Sequence, residues 1–419
     1  MTFFYYKNNS LYVENVSVED VARTVQTPFY LYSEQALRFQ MQSFLSAAQK
    51  RLKSSLVCFA LKSNSNLAVI KVLASMGAGA DIVSGGELLM ALKAGIPAEK
   101  IVFSGVGKTK EELVLAVEKG IKQINLESEE EAETLEEITA GIKKKVCVAV
   151  RVNPDVDAHT HHKITTGKKE NKFGIVWRQA RALYHRLSKS EWLLPVGIDI
   201  HVGSQLLETQ PFEKAFDLAA DFVRTLREEG INIQTIDVGG GLGVTYQETD
   251  VPCTPDEYMD VIAEKLGNSG CEIIFEPGRF LSAPAGVLVS RVVRAKHTEE
   301  KDFLVLDAGM NDLIRPAIYD AYHNIKAVKE AENSRIYDVV GPICESSDVF
   351  GKNRALPVMQ SGDLVVLETA GAYGSSMGSN YNFRPLCAEV LVNKGSFAVV
   401  RKRQTVEEML ALNVPAPWL

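Results

Sequence analysis

The sequence predicts an α/β protein in which a closed parallel (β/α)8 barrel, the TIM-barrel architecture, is joined to a second, mostly β C-terminal domain. Three observations predict it. Between about residues 57 and 276, short β-branched runs alternate with longer stretches of helical period. After Glu276 the texture changes to strand-like segments separated by turn signals. The chain has 419 residues, 46% hydrophobic and 24% charged, the composition of an ordinary globular protein with length for two domains.

The chain opens on short aromatic segments. Among them, Tyr30-Leu31-Tyr32 follows Thr27-Pro28, and these segments are expected to join the β domain. A helical stretch over Ser33–Leu52 precedes the barrel. Its strands are expected at Val57–Lys62, Ala80–Ser84, Ile101–Gly105, Gln123–Glu127, Val146–Val152, Val196–Val202, Thr235–Gly239 and Glu272–Glu276. Between them lie helical patterns such as Glu87–Ala94, Lys110–Lys119 and Ser128–Thr139, so eight parallel strands can close on themselves. The barrel is therefore assigned to residues 33–276 and the β domain to 277–419, with 1–32 joining it. Strands of that domain are expected at Val287–Val293, Phe303–Asp307, Leu364–Glu368 and Glu389–Val392, with a turn at Gln360-Ser361-Gly362-Asp363.

Composition excludes several function classes. Lys and Arg total 46 against 53 Asp and Glu, a net charge of −7, with the signs mixed along the chain. No basic stripe is present to neutralise phosphates, so no nucleic-acid partner is expected. No apolar run approaches the ~18–20 residues that span a bilayer, and Phe3-Phe4-Tyr5-Tyr6-Lys7 lacks a signal-peptide core. A cytoplasmic protein without a membrane partner is expected. The six cysteines contain no C-x-x-C pair, which argues against a disulfide framework or a zinc site. His159-Thr160-His161-His162 lacks carboxylate or thiolate partners at ligand spacing, so no metal is assigned.

In a barrel of this kind the chemistry sits at the carboxyl ends of the strands. Strand one closes on Lys62, where lost hydration would favour the neutral amine that forms a Schiff base; snorkelling to the surface is the plainer alternative. Asp81 lies in strand two, ahead of Ser84-Gly85-Gly86-Glu87, and strand six supplies His201-Val202-Gly203-Ser204. Strand seven leads into Gly239-Gly240-Gly241, whose bare backbone can approach an anion where barrels commonly hold phosphate. Strand eight ends in Glu276-Pro277-Gly278-Arg279, placing a carboxylate where it could hold a cationic ring nitrogen protonated. His201 offers a flat ring that could stack on a cofactor, although a lone strand histidine is more often a satisfied core residue.

Together these motifs resemble the alanine-racemase-like barrels of fold type III pyridoxal-phosphate enzymes. Cys344-Glu345-Ser346-Ser347-Asp348 and Gly371-Ala372-Tyr373-Gly374 are similar to the amino-acid decarboxylase branch, and the whole set most resembles the diaminopimelate decarboxylase family. The resemblance implies pyridoxal 5'-phosphate on Lys62, His201 stacked on the ring and Glu276 at its nitrogen. It implies that Gly240, Gly241, Glu276, Pro277, Gly278, Arg279 and Tyr373 serve the phosphate, with Asp81 and Ser204 as secondary contacts. Arg279, Arg315, Tyr319, Glu345 and Tyr373 match substrate-binding positions, and Cys344 matches the proton donor, with Lys62 the other candidate. Cys344 and Glu345 would come from the partner chain of a homodimer. The reaction implied is decarboxylation of meso-2,6-diaminopimelate to L-lysine and CO2, the last step of bacterial-type lysine biosynthesis. Phe59, Ser63 and Asn171 depart from the commoner family residues.

Other readings stay open at this point. Ornithine, arginine, lysine or carboxynorspermidine could be the substrate, although Arg315 would then face a cation instead of a distal carboxylate. Arg315 could also be a surface ion-pair residue beside Asp312 or Asp320. A non-catalytic cofactor carrier would need the barrel alone, and racemisation is disfavoured by an acid at Glu276.

Overall fold

Runs of apolar and β-branched residues form eight strands whose side chains are almost wholly buried, as parallel strands covered by helices require. The structure, a computed structural model, describes residues 2–154 and 172–419. The strands are β1 (Ser55–Ala60), β2 (Gly79–Ile82), β3 (Ile101–Phe103), β4 (Gln123–Leu126), β5 (Val146–Arg151), β6 (Leu193–Asp199), β7 (Thr235–Asp237) and β8 (Glu272–Phe275). Each pairs in parallel with the next, and β8 returns to β1 with Phe275 opposite Val57, closing the barrel. Ala60 stands opposite Asp81, which puts the ends of β1 and β2 side by side.

The intervening helices start where the sequence carries capping residues. Ser84 caps Gly85–Ala94, Ser128 caps Glu129–Ile142, and Thr109 and Thr254 form reciprocal capping boxes on Lys110–Lys119 and Pro255–Leu266. Phe44 of the helix Glu34–Arg51 meets Phe275 edge to face, with ring centroids 5.3 Å apart, and so locks that helix to β8.

The expected strands run too far at their carboxyl ends. Lys62, Ser84, Gly105, Glu127, Val202, Gly239 and Glu276 all lie beyond the last ladder residue. Glu127, Val202, Gly239 and Glu276 stay buried past the last ladder residue, so a buried texture overstates strand length.

The chain divides into two compact units. One comprises residues 38–245 and 250–281, and the other comprises 2–37, 246–249 and 282–419. In the second, Phe29–Ser33 pairs antiparallel with Gly286–His297 and parallel with Ala388–Asn393. Gly286–His297 also pairs with Asp302–Leu306 and Leu364–Leu367, and Ser334–Val340 with Val349–Pro357. Leu11, Val18, Phe29, Leu31, Val287, Val289, Val366 and Val390 share one core, which ties the amino-terminal segment to this unit.

Candidate active site

Lys62 sits on a single 3-10 turn, Leu61–Ser63, directly after β1; Ser63 steadies it by donating Oγ to the Ala60 carbonyl at 2.7 Å. The lysine is therefore not the last strand residue that the sequence predicts. Its half-buried Nζ lies 2.5 Å from Oδ2 of Asp81. That pairing fixes where the amine points. Asp81 is wholly buried, and its Oδ1 accepts no hydrogen bond from the described residues. The turn of Glu276-Pro277-Gly278-Arg279 presses against the same place: a Cβ on Gly278 would lie 2.9 Å from Ser63 Cβ.

Three further buried carboxyls, Asp199, Asp237 and Glu276, share the barrel interior with Asp81. Burial, reinforced by Asp237, Asp81 and Asp199, pushes the Glu276 carboxyl well above its ordinary range. Burial and the neighbouring Asp237 do the same to Asp199. Burial raises Asp237 to about 7, opposed by the backbone N–H of Gly239, which donates to its Oδ1 at 3.0 Å. Such a cluster favours any cation brought among it, since a positive charge relieves the mutual repulsion.

The turn after β7 requires glycine. Gly239 adopts φ +65°, and a Cβ on it would stand 2.6 Å from His201 Nδ1; one on Gly240 would stand 2.4 Å from the Glu276 carbonyl oxygen. Gly240 N–H donates to Nδ1 of His201 at 3.2 Å, so that nitrogen carries a lone pair and the ring is neutral. Burial, with Arg151 and Lys62 adding to it, holds the His201 pKa well below its usual value, consistent with that tautomer. Arg279 is buried and donates Nη2 to Ser204 Oγ at 3.1 Å, so strands six and eight are joined at their ends.

In the β unit, Arg315 and Tyr319 share the short helix Arg315–Tyr319, four residues apart on one face. Arg315 is buried and is not a surface ion-pair residue. Its guanidinium stacks on Tyr246 with 4.6 Å to the ring centroid and donates to Nε2 of His323 at 2.8 Å. Nδ1 of His323 is bound to the Glu368 carbonyl at 2.8 Å, so the imidazole is held as an acceptor toward Arg315. Cys344 and Glu345 are exposed on a loop whose shape other groups set. Asp348 accepts the backbone N–H of Ile343 and of Met310, each at 2.7 Å, and Asn382 Oδ1 accepts that of Cys344 at 2.9 Å. Glu345 accepts hydrogen bonds from Ser347 and Tyr381, which keep its carboxyl below the ordinary range. Tyr373 is half-buried with φ +53°, a left-handed backbone that a bulky residue adopts only when its surroundings enforce it.

Comparison with known proteins decides the family. The family model of the pyridoxal-dependent decarboxylases, pyridoxal binding domain, matches residues 39–283. The diaminopimelate decarboxylase of Zymomonas mobilis is 45% identical over 99% of both chains, and that of Haemophilus influenzae is 46% identical over 98% of this chain and 99% of its own. The Helicobacter pylori enzyme, solved with L-lysine, superposes with a TM-score of 0.91 at 41% identity, covering 94% of this chain and 98% of its own. The M. jannaschii enzyme, also in complex with L-lysine, reaches 0.95 at 35% identity over 100% of both chains. The chain belongs to the diaminopimelate decarboxylase family.

As a member of that family the chain uses pyridoxal phosphate, and the barrel end fits the group. It offers a primary amine on a half-exposed stem, a turn that a Cβ would fill, and a buried Asp81 oxygen that no described residue satisfies. Several site residues of this family member were not anticipated from sequence. Ser104 follows β3 directly and donates Oγ to Glu276 Oε1 at 3.1 Å, and Asn125 in β4 donates to that Ser104 oxygen at 3.1 Å. The signal was present in a lone polar residue closing Ile101-Val102-Phe103 and a lone amide inside an apolar run. Tyr246 and Asn382 reach Arg315 and Cys344 from far along the chain, and His323 and Asp348, only eight and five residues from Arg315 and Ile343, carry no spacing signature. The His159–His162 cluster and Asn171 lie outside the described residues.

Proposed function

We propose that this chain decarboxylates meso-2,6-diaminopimelate to L-lysine and CO2 as a cytoplasmic homodimer. The observation that carries the reading is the full-length identity of 43–46% to relatives that bear that activity as their name. The barrel chemistry agrees with it. Pyridoxal phosphate, when bound, supplies an electron-withdrawing ring that accepts the electron pair left as the α-carboxylate departs.

The chain's own groups do the rest. Lys62 anchors the cofactor aldehyde through Nζ, and Asp81 steers that amine. The backbone of Gly240, Gly241 and Glu276 to Arg279, with Tyr373, holds the phosphate, and Ser204 fixes Arg279. Neutral His201 would offer its ring to the face of the bound cofactor, and Glu276 would accept a hydrogen bond from a protonated ring nitrogen, a cation that the neighbouring acids favour. Arg279, Arg315, Tyr319, Tyr373 and Glu345 bind the substrate. The guanidinium of Arg315 suits the distal carboxylate and Glu345 the distal ammonium of diaminopimelate. The exposure of Cys344 and Glu345 in a single chain supports their serving the site of a second copy, where Cys344 returns a proton to carbon.

The test offers meso-diaminopimelate, ornithine, lysine and arginine to purified protein with pyridoxal phosphate and follows CO2 and L-lysine. Release of both from the first substrate alone is expected. Turnover of ornithine, or none of any substrate, overturns the assignment.

A further inference from the structure

A buried polar chain crosses the barrel interior and ends on Glu276. Thr235 Oγ1 donates to Gln123 Oε1 at 2.7 Å, and Gln123 Nε2 donates to Asn125 Oδ1 at 2.7 Å. Asn125 Nδ2 donates both to Ser104 Oγ at 3.1 Å and to Asp237 Oδ2 at 3.3 Å, and Ser104 Oγ donates to Glu276 Oε1 at 3.1 Å. All of these residues are buried.

The direction of the chain follows from its ends. The amide nitrogen of Asn125 is its only donor and lies within reach of Asp237 Oδ2 and Ser104 Oγ, so its oxygen is left for Gln123. The Ser104 oxygen, having accepted from Asn125, has its single proton available for Glu276 and for nothing else. Apolar side chains would fill this interior at lower desolvation cost, so a fully connected polar row calls for a reason other than stability. A donor on Oε1 stabilises the anionic carboxylate and restricts its rotation, opposing the effect of the surrounding acids.

We propose that Ser104, oriented by Asn125, is a positioning residue for Glu276, holding its carboxylate anionic and in one rotamer to face the cofactor's ring nitrogen. The inference rests on the role given to Glu276 above and adds the group that sets that role. Without the hydroxyl, Glu276 takes up a proton more readily and holds the ring nitrogen's proton less firmly.

The test compares the pyridoxal-phosphate-loaded enzyme carrying Ser104→Ala, Ser104→Thr, Glu276→Gln, or Ser104→Ala with Glu276→Gln. Three readouts are taken: the visible absorption band of the bound cofactor across pH, kcat and KM. Ser104→Ala should lower kcat about tenfold, the scale of one hydrogen bond to a charged group, with KM within about twofold. It should also move the absorption band and its pH midpoint. Ser104→Thr, which keeps the donor, should restore both, and in the Glu276→Gln background Ser104→Ala should add less than about twofold. If Ser104→Ala does not fold, Ser104→Cys, a weak donor of similar size, takes its place in the same comparison. An unchanged band and kcat in Ser104→Ala overturn the proposal. So does a loss that Thr fails to restore, or one undiminished in the Glu276→Gln background. If Glu276→Gln itself leaves band and turnover unchanged, the role of Glu276 falls and the proposal with it. A Glu276→Gln effect beside a silent Ser104→Ala sinks the proposal alone.

Discussion

At the barrel end, Asp81, Asp199, Asp237 and Glu276 are buried together, and three of them are pushed up by that burial. On the β unit, Cys344 and Glu345 stand in solvent on a loop pinned from behind by Asp348 and Asn382. The first arrangement is costly and closed, because it concentrates like charge where water cannot screen it, and it therefore selects a cation. The second costs little and is open, because its reactive side chains remain hydrated while only backbone N–H groups are held. A buried acid cluster tunes a bound group, whereas a shaped exposed loop presents groups to another surface. Substitutions on the two sides should therefore fail in different ways.

The largest contrast is expected from Lys62→Ala, which should abolish turnover and remove the label that borohydride reduction otherwise leaves on the Lys62 peptide. Labelling elsewhere in the chain would break the barrel side of the comparison. Cys344→Ala should lower decarboxylation by about 10²–10⁴-fold, the range of a lost proton donor. Cofactor content should be unaltered, and unfolding free energy should shift by no more than ~0.5 kcal/mol, as for other surface positions. A loss of cofactor in that variant would show that the loop does more than present its side chains.

Arg315→Ala should raise KM for diaminopimelate about tenfold or more, the cost of charge-assisted hydrogen bonds to a carboxylate. His323→Phe, which keeps ring volume without the acceptor, should raise it in the same direction; steady-state kinetics on both variants decides. Gly240→Ala should weaken cofactor binding through ~1–3 kcal/mol of backbone displacement, read by equilibrium dialysis, because its Cβ meets the Glu276 carbonyl oxygen at 2.4 Å.

The smallest effect is on pH dependence. Burial raises Asp237 from 3.8 to about 7, so the folded chain holds a proton that the unfolded chain has released. Its contribution to stability is greatest below the unfolded value and is lost as pH climbs toward 7. Urea midpoints of the cofactor-free protein should therefore fall between pH 5 and 7, and Asp237→Asn should flatten that slope. Glu87, raised to about 7 chiefly by burial, contributes with the same sign.

Much of the barrel was legible because each strand and helix announces itself locally. Alternating periods, Ser84, Thr109 and Ser128 at helix starts, and glycine where β7 turns all act within a few residues. The strand ends were less legible, since burial of loop residues such as Leu61 mimics strand character beyond the last ladder bond. Lys62 was found as a candidate, but its ionic partner Asp81 depends on strand pairing that brings residues 60 and 81 into register. Strands three and four yielded no candidate, although Ser104 and Asn125 lie there, because a single hydroxyl or amide has no spacing signature.

Residue order alone established the alternation that closes a barrel, the lysine, glycine run and acid that mark its reactive end, and the family they resemble. Those are matters of local propensity and of which side chains exist. Folding in three dimensions decided protonation and direction: which acid faces Lys62, that His201 accepts instead of donating, that Arg315 is buried on Tyr246 and His323, and that a hydrogen-bonded row ends on Glu276. Electric fields and hydrogen bonds act through space between residues far apart in the chain, so only the packed structure sets them.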